Sequence, residues 1–179
     1  MLNWLRQNAL NKYVADKKVI RHKKVTSLQQ ANSIGIICTI DNELSYKNIY
    51  AIFSGIQKHD KTVRLLAYIN GKIVPFYCLT QLTADYFCQK DLNWYGRPTM
   101  VQVSDFMDIN FDMLIDFSQG KHLPVQLICQ LSKAKFIVGA NPHHADFYDF
   151  YVFGEVMDNA SLLNNIDKYS HNLIGERYE

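Results

Sequence analysis

Four short apolar runs constrain the fold more than any other feature of the chain: SIGIICTI at 33–40, KTVRLLAYI at 61–69, DMLIDF at 112–117 and KFIVGA at 135–140. Each is shorter than an ordinary helix and apolar at nearly every interior position. A strand of that kind is covered on both faces, which is the environment of a parallel sheet held between helices. Between the first two runs, Ile49, Ile52, Phe53 and Ile56 recur at helical spacing, with Ser45 as a candidate cap. Strand, helix and strand within about 40 residues make a βαβ unit.

The remaining elements follow from the same periodicities. A helix is expected over 2–21, with Leu2, Leu5, Ala9 and Tyr13 on one face and Trp4 beside them. Asn70-Gly71 reads as a tight turn that returns KIVPFYCL as a hairpin strand, confined to an edge by Pro75. TADYFCQ at 83–89 reads as a short helix, and 91–110 gives no assignment. Pro124 suits a first helical turn ahead of the core-facing Leu127, Ile128 and Leu131. DFYVF at 149–153 reads as a sixth strand, and Leu162, Ile166, Tyr169 and Leu173 space a C-terminal helix. Together these predict a three-layer α/β fold: a doubly wound, mostly parallel, Rossmann-like sheet of five to six strands with a helix at each end of the chain. The expected organisation is a basic helical arm over 1–28 and one α/β domain over 29–179.

Charge separates those two parts. The chain carries +2 overall, yet residues 1–28 hold seven basic side chains against Asp16 alone, a net +6 that leaves the body at −4. Such an arm, with Trp4, Arg6, Lys17, Lys18, Arg21, Lys23 and Lys24, suits either packing on the body or a membrane surface. Nucleic acid is disfavoured, because no reader motif and little aromatic interleaving accompany the charge. No run approaches the roughly 18 apolar residues of a membrane span. The N-terminus lacks the apolar core and cleavage site of a signal peptide, so a cytoplasmic protein is expected, with peripheral membrane contact as the variant. The four cysteines form no CxxC pair and read as reduced core thiols.

In a doubly wound sheet, ligands bind outside the carboxyl ends of the strands near the point where strand order reverses. That rule selects Asp41, Asn42 and Glu43 after the first strand and Asn70 after the second. It selects Ser118, Gln119, Gly120 and Lys121 after DMLIDF, together with Asp116 at its end, and Asn141 after KFIVGA. SQGKHLP places a glycine beside a lysine ahead of a helix, a pattern that serves an anion or simply a turn with Gly120 at positive φ. It is no Walker loop, since Ile115 and His122 occupy positions reserved for Gly and Ser or Thr. The loop after the first strand contains no glycine, so a dinucleotide fingerprint is absent. His143 and His144, with Asp146, lack metal-ligand spacing, and no metal or cofactor is expected. Asp116 with His122, or Asp41 with Glu43, has the chemistry of an acid–base pair, whereas Asp116 can equally accept N–H bonds from its own turn.

Phe111-Asp112, Ile115-Asp116, Gln119 and Val138-Gly139 lie in a stretch, 111–139, that resembles the N-terminal half of heptosyltransferase-type glycosyltransferases. The resemblance implies a Rossmann-like half facing an acceptor. The glycine-aspartate pair of that family's first loop is replaced here by Ile40-Asp41-Asn42-Glu43. Over its whole length, with a lysine-rich first helix, SIGI, FDMLIDFS and a late YD strand, the chain is similar to a family of small bacterial α/β proteins without assigned activity. The expected function is a non-catalytic domain acting through protein contacts, self-association first, with the aromatic run DFYDFYVF as a source of apolar anchors. The alternatives are a small-molecule or anion-binding protein or enzyme using the strand-end rim, and a peripheral membrane protein held by the arm.

Overall fold

The computed structural model describes residues 2–17, 19–140, 147–153 and 157–175. Its centre is a six-stranded sheet in the order β3-β2-β1-β4-β5-β6. The strands are β1 (Ser33–Ile40), β2 (Thr62–Ile69), β3 (Ala84–Cys88), β4 (Met113–Asp116), β5 (Ile137–Gly139) and β6 (Phe150–Tyr151), and every neighbouring pair is parallel. The chain walks outward from β1 to β3, then returns to the other side of β1 and walks outward again. The order therefore reverses between β1 and β4, where Ile37 lies opposite Asp116.

Side chains alternate between two packed layers. Ile34, Ile36, Met113 and Ile115 face α2 (Glu43–Gln57) and α5 (Asn159–Gly175), which bury Ile49, Phe53, Leu162 and Ile166 against them. Ile37, Leu66 and Leu114 face α3 (Val101–Asp108) and α4 (Leu123–Leu131), which contribute Val103, Phe106, Val125 and Ile128. Each fully buried side chain of this size stabilises the fold by about 1.5–3 kcal/mol. Burial on both faces is why these strands read as unbroken apolar runs. Pro124 stands in the first turn of α4, where its missing N–H costs nothing.

Two expectations on the β2 side are corrected. TADYFCQ is not a helix: Ala84–Cys88 is the edge strand β3, in register with Leu65–Ile69. KIVPFYCL does not return as a hairpin strand, because β3 runs parallel to β2 and the chain must first travel back to the other end of the sheet. Residues 70–83 make that journey as an irregular crossover without a helix. Of the unassigned stretch 91–110, residues Val101–Asp108 form α3.

The N-terminal helix α1 (Leu2–Lys17) is shorter than the expected 2–21, and its packed face is shifted, keeping Tyr13 of the expected set but not Leu5. Leu10, Tyr13 and Val14 lie against Leu127 and Leu131 of α4, whereas Trp4 and Leu5 are exposed. Beyond the helix, Arg21 turns inward. Its guanidinium grips both carboxylate oxygens of Asp149, and its Nε donates to Ala134 O at 2.7 Å. Lys23 reaches the same carboxylate at 3.0 Å, and Lys24 N donates to Lys135 O at 3.1 Å.

Candidate functional site

The reversal between β1 and β4 gathers the selected rim residues at one edge of the sheet. β1 continues three residues beyond the Ile37–Asp116 pairing, so the switch point lies between its last residues and the 117–122 loop. Asp41, Asn42 and Glu43 lie on one side of it, and Ser118, Gln119, Gly120 and Lys121 on the other. Asn70 stands farther out, after β2, where its Oδ1 accepts from Gln89 Nε2 at 3.1 Å. Asn141 lies outside the described residues, as do His143, His144, Asp146 and Lys18.

Most of these side chains are engaged in building the loops that carry them. Asn42, not Ser45, is the N-cap of α2: its Oδ1 accepts from Ser45 N at 2.9 Å, and Ser45 Oγ accepts from Asn42 N at 3.0 Å. That reciprocal box satisfies two donors that the helix start would otherwise leave free. Glu43 pairs with Lys47 at 2.8 Å on the exposed first turn. Gln119 and Gly120 both have positive φ, 54° and 70°, which turns the chain sharply. Glycine adopts that region without strain, and glutamine is held there by two anchors nearby. Gln119 Nε2 donates to Met157 O at 2.7 Å, and Gln126 Nε2 donates to Gly120 O at 2.5 Å.

Asp116 is the most enclosed of the group, with no exposed surface. Its Oδ1 accepts from Ser118 N at 2.7 Å and its Oδ2 from the Tyr148 hydroxyl at 2.6 Å. Burial pushes its carboxyl up, against the opposing pull of Ser118, Tyr148 and Cys129. The Tyr148 ring reaches Asp116 by lying flat against Gly139: a Cβ there would meet ring atoms at 2.7 and 3.0 Å. Glycine at the end of β5 is thus what admits the tyrosine. Asp116 and His122 do not form a pair. His122 meets the Tyr68 ring, centroids 5.5 Å apart, and the acid whose charge acts on it is Asp41. Burial lowers the His122 imidazole and Lys121 adds to that, while Asp41 opposes both. Beside this group, Thr39 lies opposite Tyr68, and its hydroxyl is buried with no hydrogen-bond partner among the described residues.

Tyr148 and Thr39 escaped the sequence reading. Tyr148 stands 32 residues from the acid it serves, and nothing local marks the partnership. Thr39 sits inside an apolar strand and carries no signal of its own. Three further features bear on function. Among the described residues no group of acids, histidines and cysteines could hold a metal ion, and no helix is long and apolar enough to cross a membrane. All four cysteines are buried and unpaired. At the opposite, amino end of the sheet a cavity of about 620 Å³ opens between residues 23–25 and the start of β5.

A family model described as a family of unknown function (DUF6913) matches residues 3–173. No curated protein and no solved structure matches the chain. The matched span takes in all six parallel strands and all but the outermost residues of the first and last helices, and the chain belongs to the DUF6913 family.

Proposed function

We propose that this chain is a non-catalytic protein-contact domain that associates with a second copy of itself through the flank formed by the 70–83 crossover and the start of α2. The observation that carries the reading is the apolar exposure of that crossover. Ile73, Phe76, Leu79 and Leu82 are 69%, 89%, 62% and 94% exposed, and Leu44 in the first turn of α2 is 68% exposed. A connection of this length without secondary structure is uncommon in a compact domain and is most often functional. Beneath it the aromatic rings of Tyr46, Tyr50, Tyr77 and Tyr86 stack into a firm base, and Gln81 Nε2 ties the crossover to the Tyr50 hydroxyl at 3.2 Å.

The five exposed side chains present roughly 600 Å² of apolar surface, the upper end for a typical monomer and near the ~800 Å² each partner contributes to a standard interface. Few charges accompany them: Glu43 is paired with Lys47, and Lys72 is the single charged residue of the 70–83 sequence. A surface that must meet its own copy across a two-fold axis benefits from that scarcity of charge, because like would face like. The run DFYDFYVF contributes less than its composition suggests. Tyr148 is buried and Phe150 half-buried in the core, leaving Tyr151 and Phe153 exposed at the opposite edge of the sheet. The rim residues also favour this reading, since Asn42, Asp116, Gln119 and Gly120 are committed to local structure.

Sedimentation equilibrium of the full chain and of a Phe76→Ser/Leu82→Ser variant tests it. Both side chains are exposed, so the variant should fold unchanged. The expected result is twice the chain mass for the wild type and a single chain mass for the variant. A monomeric wild type at high concentration, or an undiminished dimer in the variant, refutes the proposal. A second reading, a small-molecule site at the switch point between β1 and β4, is favoured by the unpartnered Thr39 hydroxyl, which lies opposite Tyr68, the residue whose ring meets His122. A saturable thermal shift with a small polar ligand, abolished by Thr39→Val, would support it instead.

A further inference from the structure

We infer that the cavity at the amino end of the sheet is a binding site for a small phosphate-bearing anion. It lies at the far end of the strands from the carboxyl rim, and neither the apolar flank nor the switch point takes part in it. Lys23 and Lys24 line it from the segment that follows α1, and Lys135 lines it from the start of β5. Gln30 adds an amide and Asp149 a carboxylate already engaged by Arg21 and Lys23, while Val25, Phe136 and Ile174 supply apolar wall. The volume, about 620 Å³, suits a small organic molecule.

The charge is unbalanced and the arrangement is fixed. Arg21, Lys23, Lys24 and Lys135 surround two carboxylates, Asp149 and Asp112, which leaves a local excess of two positive charges. Neither carboxylate is free to swing toward the remaining cation. Asp149 accepts from Ile137 N at 2.8 Å as well as from Arg21, and Asp112 accepts from Asn32 N and Ser33 N at 3.0 and 3.1 Å. Among the described residues the Lys24 ammonium has no partner. The two lysine-bearing segments are tied to each other through the Lys24 N to Lys135 O main-chain bond, so the backbones that carry the cations are set beside the opening before any ligand arrives. A cleft in which positive charge outweighs negative draws in counter-ions, and an ammonium without a carboxylate partner is free to form charge-assisted bonds to a phosphate oxygen.

Pyrophosphate titrated into the ¹⁵N-labelled full chain at low salt, followed by amide shifts, tests the assignment. The expected result is saturable shifts at Lys24, Val25, Gln30 and Phe136. Lys24→Gln, an exposed change that disturbs no bond of its side chain, should weaken binding by about tenfold. Lys47→Gln, at the other end of the molecule, should leave it unchanged. Absence of saturable shifts at these amides, or equal affinity in Lys24→Gln, overturns the inference. Because the readout is local to residues 24–30 and 136, its failure says nothing for or against association through the crossover.

Discussion

Gly139→Ala adds a single methyl group, and the structure says where it goes. The new Cβ would stand 2.7 Å from Tyr148 Cε1, 3.0 Å from Cζ and 3.2 Å from the hydroxyl oxygen. Ordinary carbon contacts lie near 3.5–4.0 Å, so the ring must back away by about 1 Å. It has little room, since Tyr148 is 7% exposed and Phe147 closes its other side at 4.4 Å between centroids. A shift of about 1 Å stretches the hydroxyl bond to Asp116 beyond useful length. Overpacking costs about 1–3 kcal/mol and a buried acceptor stripped of its partner about 1–3 kcal/mol. Alanine returns about 0.4–1 kcal/mol by restricting the unfolded chain. The net expectation is a loss of about 2–4 kcal/mol, read by urea unfolding with circular dichroism. Repeating the substitution in a Tyr148→Leu background removes the obstacle and should shrink the cost to about 1 kcal/mol or less. A loss below about 0.5 kcal/mol in the wild type, or an equal loss in both backgrounds, would refute the reasoning.

The two buried acids should give opposite pH profiles. For Asp149, burial raises the carboxyl, but bonds from Arg21, Ile137 N–H and Lys23 outweigh it and hold the group below its ordinary range. Its stabilisation is therefore present above the unfolded value near 3.9 and lost as pH falls through the folded one, so Asp149→Asn should cost about 3–5 kcal/mol at neutral pH and progressively less in acid. Asp116 is raised by burial, so its stabilisation is complete below that unfolded value and fades as pH rises through the folded one. Asp116→Asn should accordingly be least costly at high pH, as urea unfolding across a pH series would show. Asn42→Ala removes a helix cap and should cost about 1 kcal/mol in the same assay. Burial pushes the Cys78 thiol up to about 11 and raises Cys38 and Cys129 as well, so at pH 8 iodoacetamide should label the native chain far more slowly than the urea-unfolded chain.

The strands legible in the sequence are those buried on both faces, because continuous apolar character needs no knowledge of neighbours. β1, β2, β4 and β5 belong to that class. β3 does not: Ala84–Cys88 is five residues long and has no distinct period, and its strand state comes from pairing with β2. Once β3 is parallel to β2, the Asn70-Gly71 hairpin is excluded, and both misreadings have that one cause. The rim residues were legible as positions because the carboxyl-end rule follows from topology. Their bonding was not, since Gln119 answers to Met157 and Asp116 to Tyr148, both far along the chain. The basic cleft was hidden for a related reason. Lys23 and Lys24 read as part of an arm, and Lys135 as the first residue of a strand run, until the fold sets them around one opening.

The claim that most of this account rests on is association through the 70–83 crossover. Hydrogen exchange compared between dilute and concentrated chain tests it directly. The account predicts concentration-dependent protection confined to residues 70–83 and the first turns of α2, with β5, β6 and the 23–25 segment unchanged. Protection elsewhere, or exchange at the crossover independent of concentration, would contradict it.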